Sequence, residues 1–276
     1  MANTRQPPPE ALFVLGGISQ YLGAATAVGL FSQIAPASVA LLRVFAASLI
    51  LIGFRRSWRR AWNKQDILWA GAFGIVLASM NLLIYLAMDR LPLGNAVAME
   101  FLGPVAVAAI GARTVRSTLA LILAASGVLI LAGLQSEGTS LGVVFALLAG
   151  AMWAGYIVLG HRVAQDGPAV DGLGVGMFIG ALVISPLGIG GVGEAFTSPG
   201  LLGLALATGL LSNVVPYGID QVVMKKITRA RFALLQALLP VTAVVIGFLA
   251  LSQSPSVAEC CGIGAVILAI AVSATE

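Results

Sequence analysis

Ten apolar runs, each eighteen to twenty-two residues long, follow one another along the chain at 11–31, 36–54, 67–88, 94–111, 117–134, 140–160, 172–192, 200–220, 232–250 and 257–274. A helix of about 20 mostly apolar residues crosses the hydrocarbon core of a bilayer. The succession therefore predicts an all-α integral membrane protein of ten transmembrane helices. The runs occupy most of the 276 residues, so no soluble domain fits among them. Charged residues make up 9% of the chain, against roughly 25% in soluble domains. That scarcity excludes a soluble enzyme, a nucleic-acid binder and a disordered chain. A β-barrel is excluded as well, because its strands alternate in hydropathy while these runs are continuous and rich in Ala, Leu and Gly. The first run is too long for a signal-peptide core and reads as a helix. Cys260 and Cys261 are adjacent within an apolar run and read as small hydrophobes. With a single histidine and no Cys/His cluster, neither a metal nor another cofactor is expected.

Orientation follows from the basic residues. With the N-terminus inside, one set of loops holds thirteen of the fifteen: Arg5, Arg55, Arg56, Arg59, Arg60, Lys64, Arg113, Arg116, Arg162, Lys225, Lys226, Arg229 and Arg231. The opposite set holds only Arg90, and Arg43 falls within a run. Cytoplasmic loops are the ones enriched in Lys and Arg, which puts both termini in the cytoplasm. The net charge of +4 is thus a topology signal rather than a nucleic-acid footprint. The basic loop from Arg55 to Lys64, with Trp58 and Trp62, reads as an anchor at the anionic lipid surface.

The two halves of the chain resemble each other. Asn81 and Tyr85 in the third run are matched by Asn213 and Tyr217 in the eighth, each pair spaced to share a helix face. The stretch from Pro104 to Gly111 in the fourth run is matched by Pro240 to Gly247 in the ninth. Five helices per half require the second half to be inserted upside down. The expected organisation is two inverted repeats, residues 1–137 and 138–276. Inverted repeats are typical of secondary transporters, with the substrate site at their interface near the midplane.

Several stretches resemble the EamA-type transporters of the drug/metabolite superfamily. They are Ala40-Leu41-Leu42-Arg43 with Ala46-Ala47, the block from Pro92-Leu93-Gly94 to Glu100-Phe101-Leu102-Gly103-Pro104, and Trp153-Ala154-Gly155-Tyr156. The likeness is greatest to the threonine/homoserine exporter branch. It implies a ten-helix inner-membrane exporter of amino acids or similar small metabolites. The chain departs from the family pattern in the ninth run, where Leu239 precedes Pro240 and Leu251-Ser252-Gln253 follows, positions at which many members carry Glu. A different cargo, such as a drug or a nucleobase, is the alternative.

Arg43 and Glu100 are the two charged side chains read as deep in the runs. An ionised residue at the centre of a membrane helix costs ~2.5–3.5 kcal/mol on insertion scales and is usually functional. At ~1.5 Å per residue, both lie roughly 10 Å below the outer boundary. Together they suit a zwitterion, Glu100 facing the ammonium group and Arg43 the carboxylate through its guanidinium fork. Two other readings compete: a buried ion pair that fixes packing, and an Arg43 that snorkels outward. A tight pair would keep Glu100 ionised, whereas a separated pair leaves it able to carry a proton, so protons are the candidate coupling ion. Gln20, Tyr21, Asn81, Tyr85, Trp153, Tyr156, Asn213, Tyr217 and Gln236 are candidates for the cavity lining, or for hydrogen bonds between helices. The expected partners are a small-molecule substrate and the lipid bilayer. His161, Asp166 and Asp171 share one loop region, and without a further charged cluster an integral-membrane lipid enzyme is a remote alternative.

Overall fold

The computed structural model describes residues 8–30, 32–91, 96, 99–132, 139–239, 241–242 and 256–274, and among these the chain is helical with no strand. The helices are α1 (Pro9–Leu30), α2 (Pro36–Arg55), α3 (Lys64–Met88), α4 (Leu102–Gly111), α5 (Val115–Ala132), α6 (Ser140–Asp166) and α7 (Val170–Gly188). After a short turn of helix at Val192–Ala195 come α8 (Pro199–Gly209), one π-helical turn (Leu210–Val214), α9 (Val215–Met224), α10 (Arg229–Leu235) and α11 (Val257–Ala274). Five helical stretches are long and apolar enough to cross a membrane: Pro36–Arg55, Lys64–Met88, Ser140–Gln165, Val170–Ala195 and Pro199–Met224. Leu102–Gly111, Val115–Ile130 and Cys260–Ala269 are shorter apolar helices. Residues 92–95 and 135–138, Pro240 and residues 243–250 of the ninth apolar run lie outside the described residues.

Local chemistry sets the helix ends. Asn63, Thr139, Ser198 and Thr228 each accept a hydrogen bond from a backbone N–H of the first turn they cap. Pro36 and Pro199 open their helices, where a missing N–H costs nothing. α2 stops at Arg56, whose left-handed φ of 53° turns its N–H back onto the Gly53 carbonyl.

The surface is oily, and the interior, though mostly apolar, also holds polar groups. Phe54, Leu68, Leu119, Ile122, Leu182, Leu187 and Leu206 are exposed, while Arg43, Asn81, Glu100, Asn213, Asp220, Gln221 and Gln236 are buried. In water that arrangement would be costly; in lipid it leaves apolar side chains facing acyl chains and polar ones facing each other. Helix association then depends on close packing of small residues rather than on hydrophobic burial. α3 and α7 meet in this way: a Cβ on Gly74 would overlap the Gly176 backbone, and one on Gly180 would overlap the Gly74 carbonyl. Further packed pairs are α3 with α6, α2 with α7 and α8, α1 with α8 and α9, α4 with α6 and α10, and α5 with α11.

The basic end of the bundle is tied together by Asp171, in the first turn of α7. Its carboxylate accepts from Arg55 Nε at 3.2 Å, Arg55 Nη2 at 3.3 Å and Ser57 Oγ at 3.1 Å. The Arg55 side chain is 48% exposed, so water screens much of the pair. Asp171→Asn is expected to cost on the order of 1 kcal/mol, measured as a small fall in the melting temperature of detergent-solubilised protein. His161 sits near the same end, its ring 3.0 Å from the Ile227 carbonyl oxygen, in keeping with a packing role.

Candidate functional site

The site is organised by a helix defect. Pro216 has no N–H to give to the carbonyls one turn back, and the chain around it winds into the π turn, with the Val215 N–H reaching Leu210. The carbonyls of Leu211 and Ser212 are served from other helices instead. Ser19 Oγ of α1 donates to Leu211 O at 2.7 Å, and Arg43 Nη2 of α2 donates to Ser212 O at 3.4 Å. π turns of this kind are frequent at functional sites.

Arg43 is the hub. It is 6% exposed, so it does not snorkel outward. Its Nε donates to Asn213 Oδ1 at 2.6 Å and its Nη1 to the Tyr85 hydroxyl. All these acceptors are neutral, and no carboxylate lies within ion-pair distance of Arg43 among the described residues. Asn213 Nδ2 is buried beside it without a hydrogen-bond partner.

Glu100, 9% exposed, lies just ahead of α4. Gly150 of α6 backs this segment, because a Cβ there would stand 2.8 Å from the Glu100 carbonyl oxygen. The Glu100 carboxylate forms no ion pair with Arg43, although the two are within electrostatic reach of each other, as are Glu100 and Tyr21. Of the two arrangements the sequence left open, tight and separated, the separated one is found. Next to Glu100, Phe101 meets Trp153 edge to face at 6.0 Å.

Further along, Asn81 Nδ2 donates to the Tyr217 hydroxyl at 3.3 Å, and the Tyr217 and Tyr156 rings are 5.5 Å apart. The Tyr156 hydroxyl donates to Asp220 Oδ2 at 2.6 Å. Thus Arg43, Tyr85, Asn81, Asn213, Tyr217 and Tyr156 form one belt, with Glu100 and Trp153 on the α4–α6 side. Gln20 joins it through its backbone carbonyl, 3.3 Å from Ser212 Oγ, and Tyr21 is half-buried next to it. Gln236 is buried in the segment after α10. A crevice of about 380 Å³, lined by Gly111, Leu121, Lys226 and Arg231 among others, lies away from this belt.

The comparisons with known proteins agree with one another. A family model described as "EamA-like transporter family" matches residues 140–275. The threonine/homoserine exporter RhtA of Escherichia coli strain K12 is 34% identical over 265 residues, which cover 95% of this chain and 89% of RhtA. The chain belongs to the EamA-like transporter family. RhtA of Salmonella typhimurium strain LT2 is 34% identical over 259 residues, 91% of this chain and 87% of its own. A solved crystal structure superposes with a TM-score of 0.76 at 16% identity, over 97% of this chain and 95% of its own, a likeness of fold. The relatives of this EamA-family chain are named exporters and the family one of transporters, so the chain is a membrane transporter and not an enzyme.

Reasoning from the sequence missed one charged residue of this transporter. Asp220 is a further charged group buried in the bundle, left out because the eighth run was closed at residue 220 while the helix continues to Met224. The signal was present: Asn213, Tyr217 and Asp220 are spaced four and three apart and share a helix face.

Proposed function

We propose that this chain exports amino acids of the threonine/homoserine kind by alternating access, and that Arg43 and Glu100 hold the two ends of the zwitterion. The carrying observation is that both charges are buried, opposite in sign and unpaired with each other. A cation in a lipid-embedded bundle needs an anion, and an anion needs a cation. A bound amino acid supplies both. The guanidinium N–H groups that Arg43 does not give to Asn213, Tyr85 and Ser212 are left for the carboxylate, with Asn213 Nδ2 as a neighbouring donor. Asn81, Tyr85, Trp153, Tyr156, Asn213, Tyr217, Gln20 and Tyr21 complete the lining in this reading. The kinship with the RhtA exporters supports the substrate class and the outward direction.

The helix pairing supports an inner-membrane protein of ten spans in two inverted repeats, 1–137 and 138–276. Exchanging the halves turns the α2–α8 contact into α7–α3, α1–α8 into α6–α3, and α4–α6 into the contact of α10 with α1. The α5–α11, α2–α7 and α4–α10 pairs map onto themselves. Asn81 and Tyr217 touch directly, while Arg43 stands between their repeat equivalents Asn213 and Tyr85. One half therefore holds a cation where the other has a neutral hydrogen bond, which suits an asymmetric substrate. The charge bias of the loops supports cytoplasmic termini.

Uptake of labelled threonine and homoserine into inverted membrane vesicles tests the reading. Saturable uptake is expected, inhibited by excess neutral amino acids. An amino alcohol lacking the carboxylate, and a hydroxy acid lacking the ammonium group, should each fail to compete. Equal competition by either compound would remove the zwitterion site.

A further inference from the structure

Asp220 has no part in the zwitterion site, yet it is buried in the same bundle. It is 8% exposed, accepts from Tyr156 at 2.6 Å, and has no ion pair among the described residues. It lies seven residues beyond Asn213 along one helical stretch, roughly 10 Å away at 1.5 Å per residue. In the proposed orientation that displacement is toward the cytoplasm. The titratable groups near it are Tyr156 from α6 and Tyr217 from its own helix. From α1, α7, α10 and the π turn, no charged or titratable group is in hydrogen-bond or ion-pair contact with it among the described residues. Next to it, Gln221 Oε1 is buried without a partner.

We infer that Asp220 carries the coupling proton of export, at a site separate from the one that holds the amino acid. The inference rests on the reading of the chain as an amino-acid exporter. A carboxylate in a membrane interior requires neutralisation, and among the described residues no basic side chain is in ion-pair contact with it. A proton taken up from the outer side binds a carboxylate oxygen and leaves to the cytoplasm after the bundle reorients, while one amino acid moves outward. Tyr156 links this event to the substrate belt. Its hydroxyl holds Asp220, and its ring packs against Tyr217, whose hydroxyl accepts from Asn81.

The experiment uses the full chain in proteoliposomes with labelled threonine. Counterflow, which needs no gradient, is compared with accumulation driven by a pH gradient. The wild type is expected to show both. Asp220→Asn keeps the shape and removes the exchangeable proton. It should retain counterflow with an unchanged KM and lose gradient-driven accumulation, falling to the level seen without a gradient. Asp220→Glu should restore part of it. Gradient-driven accumulation by Asp220→Asn equal to the wild type overturns the inference. So does a counterflow KM raised by the same change, which would make Asp220 part of the amino-acid site. A wild type indifferent to the gradient also overturns it. If Asp220→Asn does not fold, Tyr156→Phe is read instead: the pH midpoint of coupled uptake should move, and an unmoved midpoint counts against the inference. Absence of wild-type counterflow would instead remove the amino-acid reading on which it rests.

Discussion

With Glu100 replaced by glutamine, amino-acid efflux is expected to fall by at least about 100-fold, the consequence of losing roughly 3 kcal/mol of interaction with a desolvated charge. Abundance in the membrane should be unchanged. The substitution preserves size and hydrogen-bonding atoms and removes only the charge. Glu100 forms no ion pair with Arg43, so the neutral amide strands no bound guanidinium and stability should be spared. A carboxylate that served packing alone would behave in the opposite way, with efflux intact. The companion change Arg43→Lys keeps the positive charge and loses the fork that reaches Asn213, Tyr85 and Ser212 together. It should reduce efflux as well, but with some loss of stability, because Arg43 holds α2 against α3 and the π turn. Efflux assays at matched abundance, with thermal melts of both variants, separate the two effects. Wild-type efflux by Glu100→Gln would end the role assigned to Glu100.

The second large effect is expected at Gly74. A leucine there should remove most of the folded protein from the membrane. Its first side-chain atom already overlaps the Gly176 backbone, and backbone cannot step aside as a rotamer can. Overpacking in a tight core costs roughly 1–3 kcal/mol, occasionally more, and this contact joins α3 to α7 along a stripe that also holds Ala70 and Gly180. Gly203→Leu is the matched control, since nothing lies within 4 Å of a Cβ at that position. Fluorescence-detected size exclusion of tagged variants reads both. A monodisperse Gly74→Leu protein at normal abundance would mean that α3 and α7 are not held together by this contact.

The helices were largely legible because the bilayer permits so few solutions. Every described part of the ten apolar runs contains helix, and the ends at Pro36, Pro199 and Met88 fall at or next to the residues where chemistry placed them. The misjudged boundaries were polar ends. α6 extends to Asp166 and the helix after Pro199 to Met224, because charged residues near the bilayer surface can continue a helix as readily as end it. The second of these errors concealed Asp220. Site residues were legible as a set, through the scarcity of polar groups in the runs. Their partners were not. Arg43 and Glu100, at similar depth and opposite in charge, could have paired or stood apart, and the residues alone did not show that Arg43 bonds Asn213, Tyr85 and Ser212 instead. The Ser212 carbonyl was available only because Pro216 follows it one turn later, a consequence of local backbone geometry that residue depth does not reveal.

Composition and the order of apolar runs determined on their own that this chain is helical, membrane-embedded and furnished with a few polar side chains worth explaining. The reason is that in lipid the backbone groups must be satisfied within the protein, which for a spanning segment means almost entirely within its own helix, so periodicity and length settle the local structure. Which helices touch, and therefore which polar groups meet, was decided by the tertiary fold alone. Contacts such as Gly74 on Gly176 and Tyr156 on Asp220 depend on small residues and hydroxyls meeting across helices far apart in the chain, and no spacing within a single helix encodes that encounter.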